Sequence, residues 1–242
     1  MSYANAWVLA IAGLIFQAPC LGQSLVTVGN APGEVATVIG PSKFAVDLGK
    51  CRFSVDLLPS QRMTFNDPDL VVYYSGSKEG GEAHLRQAET NFGASWSFEK
   101  KGSRQEKWLG MMCESAENFS AQTLGRKTIE GAEVSSALSD VRESNDLRCP
   151  ADLKDGKWIP RPILKKGESY VFAEISGAGW VGFLIGYKAS KSRKELSSLR
   201  FCALSGDNVL MGAAENSEQP LAIPVGAMGE IIKSLSTIRF SD

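Results

Sequence analysis

Residues 169–187, SYVFAEISGAGWVGFLIGY, decide the fold. They contain Gly177-Ala178-Gly179-Trp180-Val181-Gly182, a literal G-x-G-x-x-G directly after a strand-like run. In a dinucleotide-binding unit that motif opens a helix, so that backbone N–H groups and the helix dipole meet a pyrophosphate. Here the residues after Gly179 are aromatic and aliphatic, with further glycines at Gly182 and Gly186. Glycine is a liability inside a helix, whereas in a strand it marks a bulge or a close backbone approach. The stretch therefore predicts two strands joined at SGAG, with glycine supplying positive φ in the turn. About sixty residues follow Gly182, too few for the rest of a doubly wound domain. A kinase glycine loop is also a hairpin, but no V-A-I-K or H-R-D residues follow it. No cofactor is expected.

Working outward, the chain reads as short strands broken by glycine-rich turns: LVTV (25–28), EVATVIG (34–40), KFAVDLGKCRFSVDLLP (43–59) and DLVVYYSGSKEGG (69–81). Phe44, Val46 and Leu48 alternate with Ala45 and Asp47, and Phe53, Val55 and Leu57 with Ser54 and Asp56. Period-2 patterning places one face on a core and the other in water. GASWSFEKKGSRQEKWLGMMC (93–113) reads as two strands joined by a charged loop from Glu99 to Lys107.

Helical signals are fewer. Val134, Ala137, Leu138 and Val141 form one apolar stripe on a helix ending near Ser144. The clearest helix is C-terminal, with Pro224 at its first position and a face of Met228, Ile231, Ile232, Leu235 and Ile238. The predicted class is α+β, mostly antiparallel sheets with few helices, including that amphipathic C-terminal helix. The prolines at 150, 160 and 162 suggest a connector over 146–167 between an N-terminal unit, 25–145, and a C-terminal hairpin-and-helix unit, 168–242.

The N-terminus points to export. Residues 1–24 carry no charged side chain, and residues 7–16 form an unbroken apolar run. Such a run is too short to span a bilayer, which takes about 20 residues. It fits a signal peptide followed by small residues, with cleavage expected after Gly22 or Ser24. Pro19 before Cys20, and Gln17 where a leucine belongs, disfavour a lipidated cysteine. Nothing downstream is long enough to predict a transmembrane segment in the mature chain. The formal net charge is −1, from 26 Lys and Arg against 27 Asp and Glu, so no nucleic-acid partner is expected.

Beyond Cys20 stand four cysteines, Cys51, Cys113, Cys149 and Cys202, with no C-x-x-C spacing. In an oxidising compartment they read as two disulfides, with three connectivities open. A periplasmic or secreted location follows.

Chemistry is sparse. One histidine, His84, excludes a multi-histidine metal site and reads as a surface or structural imidazole. No G-x-S-x-G elbow occurs, and nothing singles out a pair of carboxylates. No catalytic residue is predicted, and the protein reads as a non-enzyme. Two charged loops are candidates for recognition: residues 99–107, bracketed by Trp96 and Trp108 and containing Arg104, and residues 188–194, containing Arg193. Aromatic and arginine side chains beside a projecting loop are the usual anchors of an interface. The plainer alternative is a solvated hairpin tip with both tryptophans turned into the core. Residues 188–198 as a whole read as a solvated loop between strands.

The string GKCRFSVDLLPSQRMTF (49–65) resembles the N-terminal signature of periplasmic immunity proteins against type VI secreted lipase effectors. The matching residues are Cys51, Arg52, Phe53, Val55, Asp56, Leu57 and Pro59. The glycine between Cys and Arg is missing here, and a leucine is added before Pro59. The resemblance implies a binding protein that covers the active site of a toxic enzyme, and it transfers no catalytic residue. The expected function is an exported binding protein whose partner is a secreted effector or another envelope protein. An envelope accessory protein without inhibitory role, or an unrecognised secreted hydrolase, are the alternatives.

Overall fold

The computed structural model describes residues 24–27, 35–48, 50–59, 61–66, 69–74, 84–90, 93–99, 107–126, 135–188, 194–215 and 219–241. The expected leader up to residue 23, with Cys20, lies outside them, as do Arg104 and Arg193.

The predicted hairpin forms. Strands β12 (Ser169–Gly177) and β13 (Trp180–Lys188) pair antiparallel, and only Ala178 and Gly179 separate the closing pair Gly177–Trp180. Gly179 has φ +80°, the second central position at which a type II turn requires glycine. Gly182 lies where a Cβ would collide with the backbone of Cys202 and Ala203 on the neighbouring strand. The glycine-rich motif is therefore strand, turn and strand packing.

β13 sits inside an eight-stranded sheet. Its other members are β2 (Val35–Ile39), β5 (Gln61–Asn66), β6 (Asp69–Tyr74), β9 (Lys107–Ser115), β15 (Ser198–Ser205) and β16 (Asn208–Ala214). The order is β12-β13-β15-β16-β9-β6-β5-β2, antiparallel throughout. Residues 182–187 are buried on both faces, which explains why this segment is apolar without alternation.

Register assigns the faces, because directly opposed residues in antiparallel strands share one. Glu174, Phe183, Cys202, Met211 and Met112 form one row, and Ile175, Gly182, Ala203, Leu210 and Cys113 form a row on the opposite face. The first face is covered by helix α1 (Ser136–Arg148) and the hairpin of β10 (Ala151–Lys154) and β11 (Lys157–Pro160). There Trp158 packs against Phe183 at 5.0 Å, and Phe172 stacks on Phe183 at 5.6 Å. The second face is covered by helix α2 (Ala227–Leu235) and a four-stranded sheet. That sheet comprises β1 (Ser24–Thr27), β3 (Ser42–Asp47), β4 (Arg52–Leu57) and β18 (Arg239–Ser241), in the order β1-β3-β4-β18. Trp180 Nε1 donates to the Ile238 carbonyl at 2.9 Å, and Gln61 Nε2 to Ser234 Oγ at 2.6 Å, seating the C-terminal segment.

Two disulfides close, Cys51–Cys113 and Cys149–Cys202, with Cα–Cα distances of 5.7 and 5.8 Å. The first ties the small sheet to β9; the second ties the end of α1 to β15 on the other face. Such bridges belong to an oxidising compartment.

Several expectations are corrected. Residues 146–167 do not join two units: β9 lies between β16 and β6, and β18 pairs with β4, so both halves share their sheets. The supposed connector holds the β10–β11 hairpin, whose turn residues Asp155 and Gly156 have φ of 50° and 75°, the two positive values of a type I′ turn. β8 (Gly93–Glu99) pairs with β7 (His84–Thr90), not with β9, so the strands flanking the charged 99–107 segment belong to different sheets. Pro224 lies in β17 (Ile223–Pro224), before α2 rather than at its first position. Within 188–198, β14 (Glu195–Leu196) pairs with β17 and Leu196 is fully buried, so that stretch is not wholly a solvated loop.

α1 ends four residues beyond the expected Ser144; Ala137, Leu138 and Val141 of its apolar stripe are only half-buried, and Val134 lies outside the described residues. Its buried residue is Asn145, whose Nδ2 donates to the Asn118 carbonyl at 2.9 Å. Arg142 Nε donates to the Glu117 carbonyl at 2.9 Å. Polar contacts to the 3-10 turn Ala116–Asn118 therefore hold a helix that amphipathicity alone would leave loose.

Candidate interaction surface

Of the sequence-predicted partner residues, Trp96 lies in β8 opposite Gln87, and Trp108 in β9 opposite Tyr73. Their side chains, like Arg104 and Arg193, lie outside the described part. The structure does not bring the four together into one described site.

Exposed apolar surface gathers elsewhere. Among the described residues six large hydrophobics are exposed: Leu147, Ile159, Ile163, Leu164, Tyr170 and Val181. Four fall between residues 159 and 170, and Ile163 is the most open at 64%. Leu147 and Ile159 belong to the α1/β10–β11 layer, Tyr170 and Val181 to the sheet face beneath it, and Ile163–Leu164 to the link between them. Leu147, Ile159, Tyr170 and Val181 thus belong to the same side of the sheet, with Ile163 and Leu164 on the chain that joins its layers. Burial of such side chains is the main source of free energy in association.

The 162–164 ridge is held at both ends. Upstream, Arg161 Nε donates to Asp152 Oδ1 at 3.2 Å, and its Nη2 to Thr123 Oγ1 at 3.2 Å. Asp152 is buried, and its second oxygen accepts from Gln122 Nε2 at 3.0 Å. Downstream, Lys165 N donates to Glu168 Oε2 at 2.8 Å, and Glu168 N returns to the Lys165 carbonyl at 3.0 Å across Gly167, whose φ is +82°. A ridge fixed before contact loses little conformational freedom on binding. Lys165 and Lys166, both exposed, give its flank a positive edge.

Behind the ridge, charges lock α1 to the sheet. Arg200 Nε donates to Glu215 Oε1 at 2.6 Å and its Nη1 to the Leu147 carbonyl at 2.6 Å. A cation at the last carbonyls of a helix is the favourable sign there. Burial, and then the charge of Arg200, lower the pKa of Arg148, while Glu114 and Glu215 oppose that shift. Two arginines facing two glutamates make a structural lock rather than an anion site.

Burial raises the pKa of the Tyr187 phenol, with Arg200 opposing and Glu215 and Glu168 adding to it. The folded state thus favours the neutral phenol. Its contribution to stability is full below the ordinary value near 10 and lost as pH rises through the raised one. Tyr187→Phe is expected to remove this loss, so the two urea midpoints diverge above about pH 10. Parallel alkaline limbs would show that Tyr187 is not the titrating group.

No family model, curated protein or solved structure matches the chain. Among the described residues no group of three or more His, Cys, Asp or Glu could hold a metal ion, and no helix is long and apolar enough to cross a membrane. Sequence reading missed the 159–170 surface. The available signal was Ile163-Leu164 standing between prolines and lysines, two large apolar residues where no secondary-structure period could bury them.

Proposed function

We propose that this is an exported, periplasmic or secreted binding protein that neutralises a toxic secreted enzyme by covering the entrance to its active site. The observation that carries the reading is the clamped, exposed apolar stretch at 162–164, between the layer that bears Ile159 and the strand that bears Tyr170. The likeness of residues 51–59 to immunity proteins against lipase effectors supports the same class of partner. The mechanism is occlusion. A scaffold tied on both faces by disulfides presents a preformed ridge, and its basic flank steers toward an acidic rim.

The test is inhibition. The purified chain should suppress a lipolytic activity in the secreted fraction of its own source, and the Ile163→Glu/Leu164→Glu variant should not. Each anchor is expected to contribute ~1–2 kcal/mol, so the double variant should bind at least about tenfold more weakly. Its melting temperature should change little, because both residues are exposed. Arg104→Glu separates the two candidate surfaces: if it weakens binding and the ridge variant does not, the contact lies on the 99–107 loop. Hydrolytic turnover by the chain itself, surviving repurification, would refute the binding-protein reading.

A further inference from the structure

We propose that two copies of the chain join edge to edge through β12, antiparallel about Ala173, into one continuous sheet. β12 is the outermost strand of the eight-stranded sheet, and β13 is its one ladder partner among the described residues, with Ala178 just past its end bridged to Arg239 of β18. Because two residues separate Gly177 from Trp180, that closing pair exchanges both hydrogen bonds, and alternation fixes the rest. Ser169, Val171, Ala173, Ile175 and Gly177 bond to β13. Tyr170, Phe172, Glu174 and Ser176 turn their N–H and C=O groups outward.

This edge has little of the protection that isolates edge strands. It is nine residues long, with no proline, lysine or arginine. Its single charge, Glu174, accepts the Trp158 backbone N–H at 2.8 Å and is held toward the sheet face.

The strand is also complementary to itself, as a two-fold interface requires. Centred on Ala173, the outward groups of Tyr170 meet those of Ser176, and those of Phe172 meet Glu174, in every case twice. On the opposite face Val171 meets Ile175. No like charges are opposed. A foreign strand would need this match by coincidence; a second copy has it by symmetry.

The same register accounts for two exposed hydrophobics. Tyr170 is 37% exposed and Val181 42%, at opposite ends of one sheet face. In the pair, Tyr170 of one copy stands beside Ser176 of the other, and Ser176 pairs with Val181 of its own β13. Two separate apolar spots become one row, crossing the junction twice. Both α1/β10–β11 layers then lie on the same side, so the assembly presents two ridges.

Light scattering on the full chain should give twice the chain mass, falling to one in Tyr170→Pro/Ser176→Pro. Those prolines remove outward N–H groups and leave the bonds to β13 intact. Ala173→Cys should form a covalent dimer on oxidation, since directly opposed, non-bonded residues sit about 4.5 Å apart at Cα, within disulfide reach. Val171→Cys should not. If the proline variant fails to fold, the cross-link decides. A single-chain mass at every concentration, a folded proline variant that stays dimeric, or a folded Ala173→Cys that does not cross-link would each overturn the proposal. None of these outcomes bears on whether the ridge binds an enzyme.

Discussion

Phe183→Ala is expected to destabilise the fold by about 3–5 kcal/mol, read as a lowered urea midpoint with little change in slope. Phe183 is fully buried in β13, with Trp158 on one side and Phe172 on the other. The two neighbours come from different elements: Trp158 from the hairpin laid over the sheet, Phe172 from the edge strand. Collapse into the void would need the hairpin to descend, yet Asp152 and Cys149 hold its base. The cavity therefore stays open, and the cost belongs at the upper end. A loss near 1 kcal/mol would mean that the hairpin is free to settle. The layer would then be far less rigid than its hydrogen bonds suggest.

Replacing Cys149 and Cys202 together by alanine should cost about 4 kcal/mol, the loop-closure value for a bridge spanning 53 residues. The Cys51–Cys113 bridge, spanning 62, should cost a similar amount. The two losses should differ in kind. Without the first pair, hydrogen exchange should quicken in α1 and β10–β11; without the second, in β3 and β4. Each bridge anchors a layer on its own face of the sheet. Equal loosening everywhere would show that the bridges act on the unfolded chain alone.

What could be read from the sequence was whatever carried a strong local period or a turn signal. The β12–β13 hairpin was legible because aromatic and aliphatic residues flank a glycine turn, and the β3–β4 strands because their alternation is strict. Asp155-Gly156 was equally explicit, but the three prolines around it suggested a linker, and a four-residue strand shows little period. α1 was misjudged at its end because Asn145, its buried anchor, contributes nothing to an apolar count. The partners of β8 and β9 could not be read locally at all. Sequence marks a strand, while pairing depends on residues far along the chain, such as those of β16 opposite β9. The ridge escaped notice for the converse reason. Its residues look like a small core segment until the structure shows Ile163 and Leu164 exposed.

The four bridged cysteines pair in sequence order, Cys51 with Cys113 and Cys149 with Cys202. Were the chain oxidised as it emerged N-terminus first, Cys51 and Cys113 would meet the oxidant before Cys149 and Cys202. Under such N-to-C oxidation each native pair is also the first that can form, which limits the shuffling needed to reach the native bridges.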